Sequence, residues 1–136
     1  PQPVRAYSQL GGRAPAHCVA TGKVMLAFGA ADRFDAIPAT MARHSPNTIV
    51  SKAKLLAQLA SIQQKGYAVN NEEWRTGVSG LGAAVIGHHG LAVAAVGLTA
   101  PTPWLGTRKQ TELARLVMDT ANAISGQITG TTTHTG

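Results

Sequence analysis

The stretch VSGLGAAVIGHHGLAVAAVGLTA, residues 78 to 100, contains two runs of small and β-branched residues that are separated by His88 and His89. Runs of this composition are typical of β-strands, and the glycines on either side of the histidines are typical of a tight turn. The stretch therefore predicts a β-hairpin, and the other predicted elements are arranged around it.

The pairing of the two predicted strands follows from the length of their loop. If the histidine pair alone forms the loop, Gly80 lies opposite Gly97 on one face of the hairpin. The same pairing places Val78 opposite Thr99, whereas a bulge at Gly90 would shift it by one residue. Two facing glycines leave a hollow. Either a helix packs closely onto them, or a ligand fills the hollow with Thr99 as a polar contact.

Hydrophobic periodicity and turn residues predict the elements on either side of the hairpin. They are a strand from Val4 to Gln9, a helix from Thr21 to Phe28, a short helix from Asp32 to Ile37, a helix capped by Ser51 and closed by Gly66, a strand in YAVNN (67–71), and a helix from Thr107 to Ser125. This order predicts an α+β fold, with helices packed on an antiparallel sheet. The length predicts one domain over residues 1–128 and a disordered tail over 129–136.

Composition excludes several classes of protein. With 44% apolar and 13% charged residues, the 136-residue chain is neither disordered nor membrane-spanning. Its net charge of +6 is spread over scattered cations without aromatic interleaving, which does not indicate a nucleic-acid surface. A single cysteine and no signal-like segment favour a cytoplasmic location.

The cysteine, Cys18, follows His17 directly and invites assignment as a nucleophile. Adjacent residues of an extended segment point to opposite faces, so His17 is poorly placed to deprotonate Cys18. We therefore expect a buried structural cysteine and no catalytic residue. We expect His17 to pack in the interior or to orient a neighbour by a hydrogen bond.

The segment ATGK, residues 20 to 23, is not a phosphate loop, because the glycine and the Ser/Thr that such a loop needs are both missing. A helix that begins here leaves free backbone N–H groups at its positive end. The small residues Ala20, Thr21 and Gly22 would let a carboxylate approach those amides. The alternative is an ordinary buried helix start.

The remaining polar residues predict no metal site and no cofactor. The four other histidines, His44, His88, His89 and His134, lack the spacing of metal ligands. We expect the adjacent pair to be exposed in the hairpin turn. The acidic residues show no spacing that fixes a carboxylate pair for hydrolysis.

Three segments together resemble the C-terminal effector-binding domain of the isocitrate lyase regulator (IclR) family of bacterial transcription factors. They are LGGRAPAHCVATGKVMLAF (10–28), HSPNTIVSKAKLLAQLASIQQKGYAVNNEEWRTGVSGLGAAVIG (44–87) and LAVAAVGLTAP (91–101). The resemblance covers residues 5 to 126 and rests on ordered motifs. They are His17 with Thr21-Gly22-Lys23, then Asn47-Thr48, then GYAVNNEE and Gly77.

The resemblance implies a GAF-like α+β domain with an effector pocket. Carried over by position, the pocket comprises Ala20, Thr21, Asn70, Val78, Gly80, Gly97 and Thr99. Asn70 stands where an acidic residue is common in the family, and the two glycines stand where larger side chains occur. These departures imply fewer polar contacts and a roomier cavity.

The resemblance also implies what the domain binds. The expected effector is an organic or aromatic acid, and the expected assembly is a homodimer or tetramer. Family members carry a winged helix-turn-helix and an earlier part of the effector domain that this sequence lacks, so we expect DNA binding only through the missing domain. The alternatives are a small enzyme that uses Cys18 and a structural oligomerisation module.

Overall fold

The computed structural model describes residues 14 to 130. Its helices are α1 (Ala20–Ala27), α2 (Asp32–Asp35), α3 (Lys52–Lys65) and α4 (Thr107–Thr129), and its strands are β1 (Ala68–Asn71), β2 (Val78–Ile86) and β3 (Ala92–Pro101). The strands form an antiparallel sheet in the order β1-β2-β3. The predicted α+β class is confirmed. The predicted strand from Val4 to Gln9 lies outside the described residues, and the domain limits stay a prediction.

Helix boundaries follow the capping signals of the sequence most closely in α3. The Ser51 hydroxyl accepts a hydrogen bond from the Lys54 N–H at 3.2 Å, and Gly66 ends the helix with a φ of +89°. The start of α1 lies one residue before the predicted one, and α2 ends two residues earlier than predicted. The last helix, α4, extends four residues beyond the predicted end at Ser125.

The sheet has a core on each face. On one face, α1 and α3 bury an apolar cluster that includes Val24, Leu55, Leu59, Ala68 and Ala84. On the other face, α4 covers a second cluster that includes Leu81, Ala83, Val85, Ala114 and Val117. The site predicted from the sequence lies on the α1 side. No helix in residues 14–130 is long and apolar enough to cross a membrane.

The hairpin forms, but the predicted pairing of its strands is wrong. Gly82, not Gly80, lies opposite Gly97, and Gly80 lies opposite Thr99. Val78 pairs with Pro101.

The shift has two causes near the loop. Ile86 pairs with Ala92, so the loop contains five residues instead of two. A bulge beside this pair leaves Val93 without a paired residue on β2, so Val85 lies opposite Ala94. The two shifts add to an even number of residues, so each side chain stays on its predicted face.

Candidate functional site

The first turn of α1 lies directly on the sheet at a pair of facing glycines. A Cβ atom at Gly82 would lie 2.9 Å from the Ala20 carbonyl carbon, and one at Gly97 would lie 2.5 Å from the Thr21 Cγ2. The start of α1 therefore packs closely onto both glycines, and contact between a ligand and Gly97 stays a prediction. The glycines allow the helix start to approach the strands more closely than side chains would permit.

The start of α1 carries backbone donors without helical acceptors. Its N-cap residue, Val19, makes no side-chain cap, and the first intrahelical bond runs from the Lys23 N–H to the Val19 carbonyl at 3.0 Å. The amides of Ala20, Thr21 and Gly22 therefore have no acceptor within the helix. They lie at the positive end of the helix dipole, where an anion is favoured.

The next row of the sheet contains three of the predicted site residues. Asn70 pairs with Gly80, and Gly80 pairs with Thr99, so the three lie side by side across all three strands. Two residues along a strand span about 7 Å, so this row lies about that distance from the row under α1. Val78 lies one row further along on the same face.

Contacts within this row show which positions are open to a ligand. A Cβ at Gly80 would lie 2.9 Å from the Leu98 carbonyl oxygen and 3.2 Å from the Thr99 Cγ2, both on β3. Thr99 is exposed, and Asn70 is buried with its Oδ1 accepting the Glu73 N–H at 2.8 Å. Of these three residues, only Thr99 is exposed and thus open to a ligand.

A buried ion pair fixes the position of α1 on the sheet. The Lys23 ammonium is fully buried and contacts the Glu73 Oε1 at 2.6 Å. It also donates to the Val69 carbonyl at 2.6 Å and to the Gln58 Oε1 at 2.8 Å. Burial lowers the pKa of Lys23 below its ordinary value, and the charge of Glu73 opposes that shift. One side chain thus joins α1, α3 and β1.

The glutamate of this pair also organises the turn after β1. Its Oε2 accepts the Asn71 N–H at 2.9 Å, and its carbonyl accepts the Thr48 hydroxyl at 2.7 Å. Asn70 and Lys23 therefore contact the same residue, Glu73, from two sides. The sequence did not predict the roles of Gly82, Lys23 and Glu73. Before the structure, Lys23 was singled out only as part of the family resemblance. Glu73 lies far from Lys23 in the sequence, so no local pattern links the two residues.

The loop before α1 corrects the predicted relation of His17 to Cys18. The segment is a turn, with the Cys18 N–H donating to the Pro15 carbonyl at 3.0 Å, and not an extended strand. His17 Nε2 lies 3.1 Å from the Ala42 carbonyl, so its predicted hydrogen-bonding role is confirmed. Cys18 is buried as predicted, and burial raises the pKa of its thiol to about 11. Such a thiol is protonated at neutral pH and is a poor nucleophile.

Two further features lie apart from this site. A concave surface in the described part of the chain is lined by residues of α4 alone, from Thr107 to Arg115, and includes none of the predicted site residues. His88 and His89 are exposed in the hairpin loop, as predicted.

The loop before α1 packs against the helix start. At Gly22, a Cβ would lie 2.6 Å from the Ala16 backbone.

Comparison with known proteins identifies the fold and its relatives. The family model for the bacterial transcriptional regulator IclR C-terminal domain matches residues 1–126. The HTH-type regulator KdgR of Dickeya chrysanthemi is 31% identical over 127 residues, which cover 92% of this chain and 42% of that protein. The HTH-type repressor AllR of Escherichia coli K12 is 31% identical, with coverage of 90% and 46%. The chain thus spans less than half the length of these relatives.

Solved structures agree with the sequence relatives. The Thermotoga maritima IclR structure superposes with a TM-score of 0.84 at 27% identity, covering 93% of this chain and 52% of that one. The inducer-binding domain of PobR from Acinetobacter, a double mutant in complex with 3-hydroxybenzoic acid, gives a TM-score of 0.80 at 27% identity. That match covers 94% of this chain and 75% of the PobR chain.

Proposed function

Because this chain belongs to the IclR C-terminal domain family of bacterial transcriptional regulators, we propose that it binds a small organic or aromatic acid at the start of α1. The carboxylate would accept hydrogen bonds from the backbone amides of Ala20, Thr21 and Gly22. The observation that carries the proposal is the uncapped helix start, seated beside the row of Asn70, Gly80 and Thr99. Free amides and the helix dipole favour a carboxylate over a neutral group.

The body of the acid would lie along the row of Asn70, Gly80 and Thr99. Val78 supplies an apolar contact, and the Thr99 hydroxyl supplies a polar one. The Oδ1 of Asn70 is engaged with Glu73, so its Nδ2 is the atom available for a ligand acceptor. A flat aromatic acid suits this arrangement, and the related PobR domain carries 3-hydroxybenzoic acid.

The acid would act as a signal for a longer protein. We propose that it biases the assembly of a homodimer or tetramer and thereby the DNA contacts of a winged helix-turn-helix domain. Leu116, Ile124 and Ile128 repeat at helical spacing on α4 and are 58%, 37% and 43% exposed, which supports self-association through this helix. The scattered cations of the chain argue against operator binding by this domain alone.

The rival functions differ from this proposal in observable ways. A catalytic role for Cys18 is disfavoured because burial keeps its thiol protonated at neutral pH. We therefore propose that the domain is not an enzyme and that ligand sensing needs no cofactor. A purely structural oligomerisation module would show no saturable binding of any small acid.

The test compares two Thr→Asp variants with the same change in charge. Thr99→Asp puts a carboxylate beside the proposed ligand, whereas Thr111→Asp puts one on an exposed part of α4 away from Leu116, Ile124 and Ile128. For 3-hydroxybenzoate measured by calorimetry, we expect Thr99→Asp to weaken binding at least about tenfold, because like charges repel at short range. Thr111→Asp should bind as the unmodified chain does. Equal affinities for the two variants would remove this row from the site.

A further inference from the structure

Two loops meet beside the start of α1 and bring three metal-binding side chains together. One ring nitrogen each of His17 and His44 and the sulfur of Cys18 lie within 4.8 Å of one another. We propose that these residues form a binding site for Zn²⁺ or a similar late first-row metal ion. The sequence predicts no metal site because His44 reaches the other two residues only through the fold. The inference does not depend on acid binding.

The spacing of the three atoms is close to that of a metal site. Zinc binds a thiolate at about 2.3 Å and an imidazole nitrogen at about 2.0 Å in a tetrahedral arrangement, which places ligand atoms about 3.5 Å apart. Two atoms at the 4.8 Å limit would need to approach by about 1.3 Å to reach that geometry. All three belong to loop residues outside the helices and strands.

The surroundings of the two histidines resemble the outer shell of a metal site. His17 donates through Nε2 to the Ala42 carbonyl at 3.1 Å, so Nδ1 would be its metal ligand. Histidines that bind metals usually donate their other ring N–H in this way. The His44 ring packs edge-on against Trp74, with centroids 4.8 Å apart. Both rings are therefore held near Cys18.

The three side chains of the cluster differ in burial, and the exposed one gives an ion a route to the site. Cys18 is fully buried, His17 is half-buried and His44 is exposed, so an ion can enter from the His44 side. One thiolate and two imidazoles leave a fourth tetrahedral position for water. Sulfur and nitrogen ligands favour zinc, cobalt or copper over magnesium or calcium. As the ion binds, the thiol releases its proton to solvent.

The test uses Co²⁺ as a spectroscopic probe of the folded chain. Cobalt bound to a thiolate gives a near-ultraviolet charge-transfer band, and the chain contains only one cysteine. We expect this band to saturate at one Co²⁺ per chain and to disappear when Zn²⁺ is added. Cys18→Ser should abolish it. His44→Ala, at an exposed position, should weaken Co²⁺ binding at least about tenfold, as loss of a ligand does more than loss of an outer-shell partner.

A double variant, His88→Ala with His89→Ala, is the matched control, because it removes two exposed histidines outside the cluster. It should leave the charge-transfer band unchanged. Circular dichroism should show that His44→Ala remains folded. The proposal is overturned if the unmodified chain gives no thiolate band, if His44→Ala binds Co²⁺ as tightly as the unmodified chain, or if the control variant loses the band.

Discussion

Replacing Glu73 with Gln removes the negative charge of the buried pair and keeps the size of the side chain. The Lys23 ammonium would keep the Gln58 and Val69 oxygens as acceptors but lose its counter-charge in an environment where it is fully buried. The new side-chain amide can take two orientations. In one, its NH₂ group faces the Asn71 N–H, and in the other, its NH₂ group faces the Lys23 ammonium, so two donors face each other in both.

Breaking a buried ion pair from one side typically costs 3–5 kcal/mol, and the two remaining acceptors favour the lower end, about 3 kcal/mol. For a domain of this length, that loss of unfolding free energy lowers the melting temperature by about 10 °C. Urea unfolding followed by circular dichroism measures the free energy, and a thermal scan measures the midpoint.

The matched control is Glu112→Gln in the exposed pair with Lys109. Its two side chains are 60% and 61% exposed, and its charged atoms are 4.0 Å apart. We expect a change within about 0.5 kcal/mol there, because exposed pairs contribute little. A loss below about 1 kcal/mol for Glu73→Gln would refute the reasoning, since water or relaxation would then be replacing the carboxylate.

Three other changes test the fold around the site. Gly97→Val should destabilise the domain by about 1–3 kcal/mol in urea unfolding, because its Cβ meets the Thr21 methyl. Ser51→Ala should cost about 1 kcal/mol by removing the α3 cap, and an unchanged urea midpoint would exclude that role. Burial raises the pKa of the Cys18 thiol from 9.0 to about 11, so the folded form binds the proton more tightly. The free energy of unfolding should therefore fall between pH 9 and 11, and Cys18→Ala should remove that part of the decline.

Local signals predict the elements well, because they act within a few residues. Ser51 and Gly66 define α3 since a cap and a left-handed glycine are sufficient to begin and end a helix. The small and β-branched residues of β2 and β3, with glycines beside the histidines of the turn, predict the hairpin in the same way. The pairing of the strands was wrong because it depends on a five-residue loop and a bulge, which composition alone does not reveal.

Contacts between distant segments limit what the sequence reveals about the site. Face assignments were predictable, since an even shift in pairing left Val78, Gly80 and Thr99 on the predicted side. The partner of Gly97 was not predictable, because Gly82 faces it only in the true register. The buried pair under α1 and the cluster beside it both join residues that are distant in sequence, so local patterns carry no signal for them.

Binding of an acid and of its matched amide tests the central claim most directly. Calorimetry and thermal unfolding of the unmodified chain should be compared for 3-hydroxybenzoate and 3-hydroxybenzamide, which differ in the charge that the α1 amides recognise. We predict saturable binding of the acid, with about 2.7 kcal/mol of stabilisation at one hundred times its dissociation constant, and binding of the amide at least tenfold weaker. Equal affinity for both compounds, or no saturable binding by this acid or by a panel of other small aromatic and aliphatic acids, would contradict the account.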